Sequence, residues 1–513
     1  MGKIYEQKII RFDGGMANDI RTDDITKFAA SKNFDALSFP SRLVPYRSYE
    51  AGNDTVARKM GNFLYASGKL FGLGEQTSPL RPQIFYKDTF TDGTWSTTAN
   101  NVVLTTPPSF LYDTFVQYKG FIFGFILNTS IWKYDITGAA AMVTADGTVG
   151  STITSTANGV VHSKDDILYM AFNNVIVSKN GAGGAWNVAA LTLPTKYTIT
   201  SLCEYGNYLA IACKDTDVLS QSSRVFLWDR DSSVATLAES IDWGLGTLQV
   251  LEELEGRLIG ISLIKRETSG GLVFNSILSF KYYAGAQGAI EFARIDGSRD
   301  ASISPLSSLG VQKQKANNRI YFAVVLTMNE GSGSKEGVWS VGRSGQDRPY
   351  AITVEHQSSD GTVPTAIDGF FLAGSYVFIA YSNTGSLSGN ISKSNDAATF
   401  SNNSQYESLI FDGGDPSQTK KLIGVTVMTA PMPAAGSVAL GYAIDSTIGT
   451  TTTFTNIFTN TTDNDISHSA INIESSGATL PEFKEVQFQI ISTGGAVVTG
   501  LSFEYELVPK RIY

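Results

Sequence analysis

Cysteine and histidine are almost absent from this 513-residue chain. There are two cysteines and three histidines. Two thiols cannot make a disulfide framework. Cys203 and Cys213 both lie in apolar, strand-like runs and read as small buried hydrophobes. Two Cys and three scattered His supply no zinc site. Charge is also sparse, at 17% of residues, with a net charge of −9. No Lys/Arg block follows a phosphate backbone, so nucleic-acid binding as the main task is disfavoured. No apolar run approaches the roughly 18 residues needed to span a bilayer as a helix. The opening MGKIYEQKIIRFDGG lacks the apolar core of a signal peptide, and MGKIYE lacks the hydroxyl residue of a myristoylation site. No classical secretion route is expected.

What is abundant points to sheet. The chain holds 49 Gly, 29 Phe and 22 Tyr, and 42% of its residues are hydrophobic. Aromatic and β-branched residues joined by Gly, Ser, Thr and Asn suit short strands and many turns. One unit recurs seven times: a turn residue, an apolar run of five to eight residues, a gap, and a second short strand. The turn residues are Gly61, Gly120, Asp165, Gly206, Gly256, Asn317 and Gly374, spaced 41 to 61 residues apart. The runs include GFIFGFI, GNYLAIAC and NNRIYFAVV, and the second strands include SIWKYDI, RVFLWDR and GVWSVGR. A four-stranded propeller blade needs roughly 40 to 50 residues. Stacking such sheets radially buries both faces of each. The expectation is an all-β protein with a β-propeller of about seven blades over residues 51–410. Six blades plus a decorated unit, or a row of separate sandwiches, are the competing organisations.

After Phe411 the texture changes to alternating segments such as GSVALGYAID, EFKEVQFQIIST and VVTGLSFEYELVPKRIY. They predict a jelly-roll-like β-sandwich over 411–513. Residues 1–50 contain Pro40 and Pro45 and alternate poorly. They read as an extended N-terminal arm able to pair with a later domain. Part of KIYEQKIIRFDGG would then complete a blade or reach the C-terminal domain.

Candidate chemistry is thin. FDGGMANDIRTDD gathers Asp13, Asn18, Asp19, Asp23 and Asp24, but not at EF-hand spacing. Gly14 and Gly15 do not make a phosphate loop. The better reading is a turn, with Asp19 or Asp23 capping or pairing with Arg21. FDGG recurs at Phe411, again at a module boundary. His162, His356 and His468 lack a nucleophile-elbow context and read as surface or satisfied strand residues. Glu252, Glu253 and Glu255 in LEELEGR are acids near a turn, and a glycosidase would need two carboxyls facing across a cleft. Trp132, Trp228, Trp339, Tyr134, Tyr282 and Tyr283 recur at one place in the repeat, which favours blade packing over a sugar platform. Catalytic residues, metal and cofactor are all expected to be none.

SKNGAGGAW (178–186) and SKSNDAATF (392–400) resemble the Asp-box turn of sialidase-type propellers, a structural clasp distant from catalysis. FDGGMANDIRTDD, NFDALSFPSRLVPYRSYE and GLSFEYELVPKR resemble virion proteins of tailed bacteriophages. The architecture is similar to the tail nozzle of short-tailed phages, a ring below the portal and adaptor. The resemblance implies a non-enzymatic structural protein of the virion tail, assembled in the host cytoplasm. Its implied partners are copies of itself in a ring, other tail, adaptor or portal proteins, and at most transient contact with phage DNA. A negative net charge would keep an exit channel from binding its cargo. The alternatives are a tail protein that recognises a host-surface glycan, and a glycan-cleaving propeller enzyme. A clasping ring would use 1–50 and 411–513 between copies. Blade-top loops such as NEGSGSKEG (329–337) are candidates for receptor contact.

Overall fold

In a computed structural model the regular structure of the described residues is all strand, save one short 3-10 turn at Asp445–Thr447. The structure describes residues 3–509 apart from 18–20, 22–23, 52–56, 78–79, 91–94, 98–109, 127, 138–141, 217–221, 232–236, 268–272, 286–287, 298–306, 328–333, 358–365, 383–389, 396–397, 401–403, 449–451 and 472–479. Among the described residues, seven four-stranded antiparallel sheets follow one another as propeller blades. Blades one to six span 57–97, 110–153, 160–192, 197–245, 247–296 and 307–356. Blade seven has three strands from 366–394, and its outermost strand is Glu50–Ala51, paired with Ser392 and Lys393. The ring is therefore closed by a strand from far upstream.

The repeat seen in the sequence maps onto the first hairpin of each blade. Lys119–Gly120, Glu255–Gly256 and Asn317–Asn318 sit at turns with φ positive at both central residues. That is the turn whose twist matches a tight hairpin. The apolar runs after these turns are the second strands, buried on both sides, such as Leu209–Cys213. Blade one departs from this register. Gly61 lies inside the strand Ala57–Ala66 beside a register shift, and the hairpin turns at Ser67–Gly68. The apolar run after Gly61 is consequently a first strand, because a bulge and a turn both present Gly or Asn to the eye.

The N-terminal segment is no free arm. Ile4–Ile9 pairs antiparallel with Val498–Leu507 at the edge of one C-terminal sheet. Ala30–Lys32 pairs with Ser404–Glu407 at the edge of the other. These two five-stranded sheets form a β-sandwich, and Ser404–Glu407 lies upstream of the FDGG at 411. Leu422, Val427, Leu440, Phe488, Ile490, Leu501 and Phe503 fill the space between the sheets. The same core continues through Phe12, Phe28, Phe34 and Tyr406 into blades five and six. Phe12 meets Tyr406 edge-on at 5.3 Å.

The opening FDGG makes this junction possible. Phe12 is wholly buried, and Asp13 accepts two 2.7 Å bonds from Arg11 and one of 2.6 Å from Ser344 of blade six. Gly15 has φ +76°, and a Cβ there would stand 2.7 Å from the amide nitrogen of Ile352. Only glycine lets the chain pass so close in that conformation. Asn18, Asp19 and Asp23 lie outside the described residues. The expected pairing of Asp19 or Asp23 with Arg21 therefore lies outside the described residues too; Arg21 itself also pairs with Glu485 of the sandwich at 3.3 Å.

Candidate functional site: the central channel and its seams

The first strands of the blades surround a channel with a cavity of about 530 Å³. Its chemistry is carried by Glu204 and Cys203 of blade four, Glu252 of blade five and Lys313 of blade six. Lys313 Nζ lies 3.1 Å from Glu252 Oε2 and donates to the carbonyl of Leu202 at 2.8 Å and to that of Leu251. Cys203 Sγ lies 3.6 Å from Glu252 Oε1. Burial, then the neighbouring Glu252 charge, push the Cys203 thiol well above its ordinary range. It is a neutral thiol and a poor nucleophile. Glu204 accepts from both the amide (3.2 Å) and the hydroxyl of Ser163.

The three acids of LEELEGR form a seam between blades. Glu252 binds Lys313, Glu253 binds Lys315 at 2.6 Å, and Glu255 binds Arg343 and Asn318. All four partners belong to blade six. Burial alone would raise the Glu253 and Glu255 carboxyls, but the bonds from Lys315 and Gly256 to the first, and from Asn318 and Arg343 to the second, outweigh it and hold both low. A general acid would need the opposite shift.

Side-chain amides bridge two further seams. Asn158 of the link into blade three accepts from Leu202 N–H at 2.9 Å and donates to Leu202 carbonyl at 2.9 Å. It thus imitates a strand against blade four. Gln312 accepts from Phe370 N–H at 2.8 Å, and Gln314 accepts from Leu372 N–H at 2.9 Å, both across the gap to blade seven. Adjacent first strands do not pair as a sheet here, so their spare backbone groups need these partners. No periodicity announces such residues. A polar amide in an otherwise ordinary strand was the only available signal.

The remaining predicted positions are dispersed. The three histidines are all buried and far apart in the fold, which corrects the surface reading. His162 sits 2.7 Å from Arg230 Nη1, and His468 lies 3.0 Å from Thr429 Oγ1. His356 packs on Tyr46 at 4.2 Å between ring centres, and its Nδ1 meets no partner among the described residues. Trp132, Trp228, Trp339, Tyr134 and Tyr283 are buried blade packing; Tyr282 is half-buried, with Arg257 5.0 Å above its ring. Both Asp-box-like segments act as clasps. Trp186 Nε1 donates to Asp146 of blade two at 2.8 Å, and Lys179 reaches the same carboxylate at 3.1 Å. Phe400 lies under the Arg47 guanidinium at 3.7 Å, just before the ring-closing strand. Residues 329–333 of NEGSGSKEG lie outside the described residues.

A cluster missing from the sequence reading pins the N-terminal segment to blade six. Arg319 donates to Asp35 at 2.9 Å, to Ser38 at 2.6 Å, and to the fully buried Glu355. Tyr46 OH also donates to Glu355. Burial alone would raise Asp35, but the Arg319 charge and the bonds from Ser38 hold its carboxyl low.

No family model and no curated protein matches this chain. Its sheets do find counterparts among solved structures. The Dos1 propeller is 12% identical, covering 70% of this chain and 97% of its own, with a TM-score of 0.40. A Trypanosoma rangeli sialidase is 8% identical, covering 99% and 96%, with a TM-score of 0.33. A glycoside hydrolase is 10% identical, covering 89% and 99%, with a TM-score of 0.31. At these scores the likeness carries no argument about activity. The all-β propeller-plus-sandwich fold rests on the sheets themselves.

Proposed function

We propose that this chain is a non-enzymatic structural component of a bacteriophage tail, a ring-forming nozzle or tail-hub protein on the DNA exit path. The observation that supports this reading is where the three phage-like stretches fall. FDGGMANDIRTDD turns against blade six through Gly15 and Asp13. NFDALSFPSRLVPYRSYE carries Asp35 and Tyr46 to the Arg319 cluster and leads into the ring-closing strand. GLSFEYELVPKR forms the strand that receives Ile4–Ile9. The resemblance therefore tracks one junction that locks propeller and sandwich together, as a load-transmitting particle component requires. In this reading neighbours are clasped through exposed parts of 1–50 and 411–513, although Ile4–Ile9, Ala30–Lys32 and Glu50–Ala51 pair within their own chain.

A receptor-recognising tail protein is the second reading. It is favoured by the half-buried Tyr282 and Phe292, tilted against each other and against Tyr350, since partly exposed aromatics with a polar tip are enriched at binding surfaces. The channel acids, engaged by Lys313 and Ser163, give a glycan-cleaving mechanism less support. The test is immunogold labelling of particles from the phage whose genome carries this gene, with an antibody to the purified chain. Gold on the tail is expected. Bare tails, together with absence of the chain from the purified particles by mass spectrometry, would overturn the proposal.

A further inference from the structure

A second cavity, of about 160 Å³, opens beside the edge strand Ile4–Ile9 of the sandwich. Its floor is Ile9, Phe411, Phe488 and Phe503. Phe503 meets both other rings at 4.9 Å, edge-on to Phe411. Ile25 stands at the rim, 45% exposed. Lys27 and Arg21 are at the mouth. Arg21 is answered by Glu485 at 3.3 Å. The carboxylate of Asp412, which also lines the cavity, accepts the N–H of Gly414 at 2.8 Å in its own turn. Lys27 is half-buried, and its ammonium meets no partner among the described residues.

We infer that this cavity is a docking pocket for an aromatic side chain flanked by a carboxylate, presented by a partner protein. Size selects the ring: an apolar cavity of about 150 Å³ accepts benzene. Charge selects the acid, because a half-desolvated ammonium with no counter-ion among the described residues gains most from a carboxylate. An apolar floor with a few placed polar groups is the usual build of a ligand site. The inference goes beyond the tail reading and does not depend on it.

The probe is 3-phenylpropanoate, with 3-phenylpropanamide as the neutral control, added to the full chain and followed by saturation-transfer NMR. Saturation of the aryl protons is expected for both, with the acid bound more tightly. Lys27→Gln should weaken the acid by about tenfold and leave the amide unchanged, the loss of one charge-assisted bond. Gln7→Trp, at the half-buried cavity wall, should block both. Melting temperatures equal to the parent's would show that both variants are folded. Should Gln7→Trp fail to fold, the Lys27→Gln ratio decides alone. No saturation at millimolar probe, or equal binding of acid and amide before and after Lys27→Gln, would overturn the inference.

Discussion

Replacing Arg319 with Met would test how the N-terminal segment is held to the propeller. The guanidinium compensates Glu355, which is fully buried, and Asp35, which is largely so. Met keeps the stem and removes the charge. Glu355 then keeps Tyr46, Ser340 and Thr353 as donors but loses its only ion-pair partner among the described residues. Breaking one side of a buried ion pair costs about 3–5 kcal/mol, mostly from the stranded charge. A chain of this size does not unfold in one step, so a global midpoint would blur the effect. Amide hydrogen exchange reads it locally. Residues 33–51 should open roughly 10² to 10⁴ times more often, by the same free energy. Arg319→Lys should fall between, because an ammonium cannot hold Asp35, Ser38 and Glu355 together as the planar fork does. The double variant R319M/E355Q should recover part of the loss by removing the orphaned carboxylate. Exchange across 33–51 within a factor of ten of the parent in Arg319→Met would refute the reasoning.

Two further outcomes follow from buried titratable groups. Burial drives the His356 pKa down to about 3 from an ordinary value of 6.5. The unfolded chain therefore binds a proton that the folded chain refuses. The stability tied to neutral His356 is fully present above about pH 6.5 and is lost as pH falls toward about 3, by up to about 1.4 kcal/mol per pH unit. Melting temperature against pH should show this slope, and His356→Gln should flatten it; an unchanged slope would contradict the assignment. Cys203 and Cys213 are both buried free thiols whose ionisation burial suppresses. Neither should react with a chromogenic disulfide reagent until the blades are unfolded, and prompt labelling of either in native buffer would show that blade four opens more readily than its packing implies.

Local sequence signals determined the all-β character and the propeller, because both depend on short-range chemistry. Turn residues that accept positive φ, followed by runs too short and too β-branched for helix, mark hairpins wherever they stand. The same signals misplaced the first hairpin, since Gly61 beside a bulge looks like Gly120 in a turn. The acids of LEELEGR were visible as acids. That they join blade five to blade six through Lys313, Lys315 and Arg343 depends on partners 61 to 88 residues away. The same holds for Arg319 with Asp35, for Lys27 over an aromatic floor, and for Asn158 imitating a strand. Tertiary structure alone decided which partners the N-terminal strands take: Ile4–Ile9 and Ala30–Lys32 go to the two sandwich sheets and Glu50–Ala51 to the seventh blade. A strand edge is recognised by whatever unpaired N–H and C=O groups reach it, and those backbone groups are the same in every residue. Pairing between distant segments therefore leaves little trace in the side chains, while the turns and the buried runs leave a great deal.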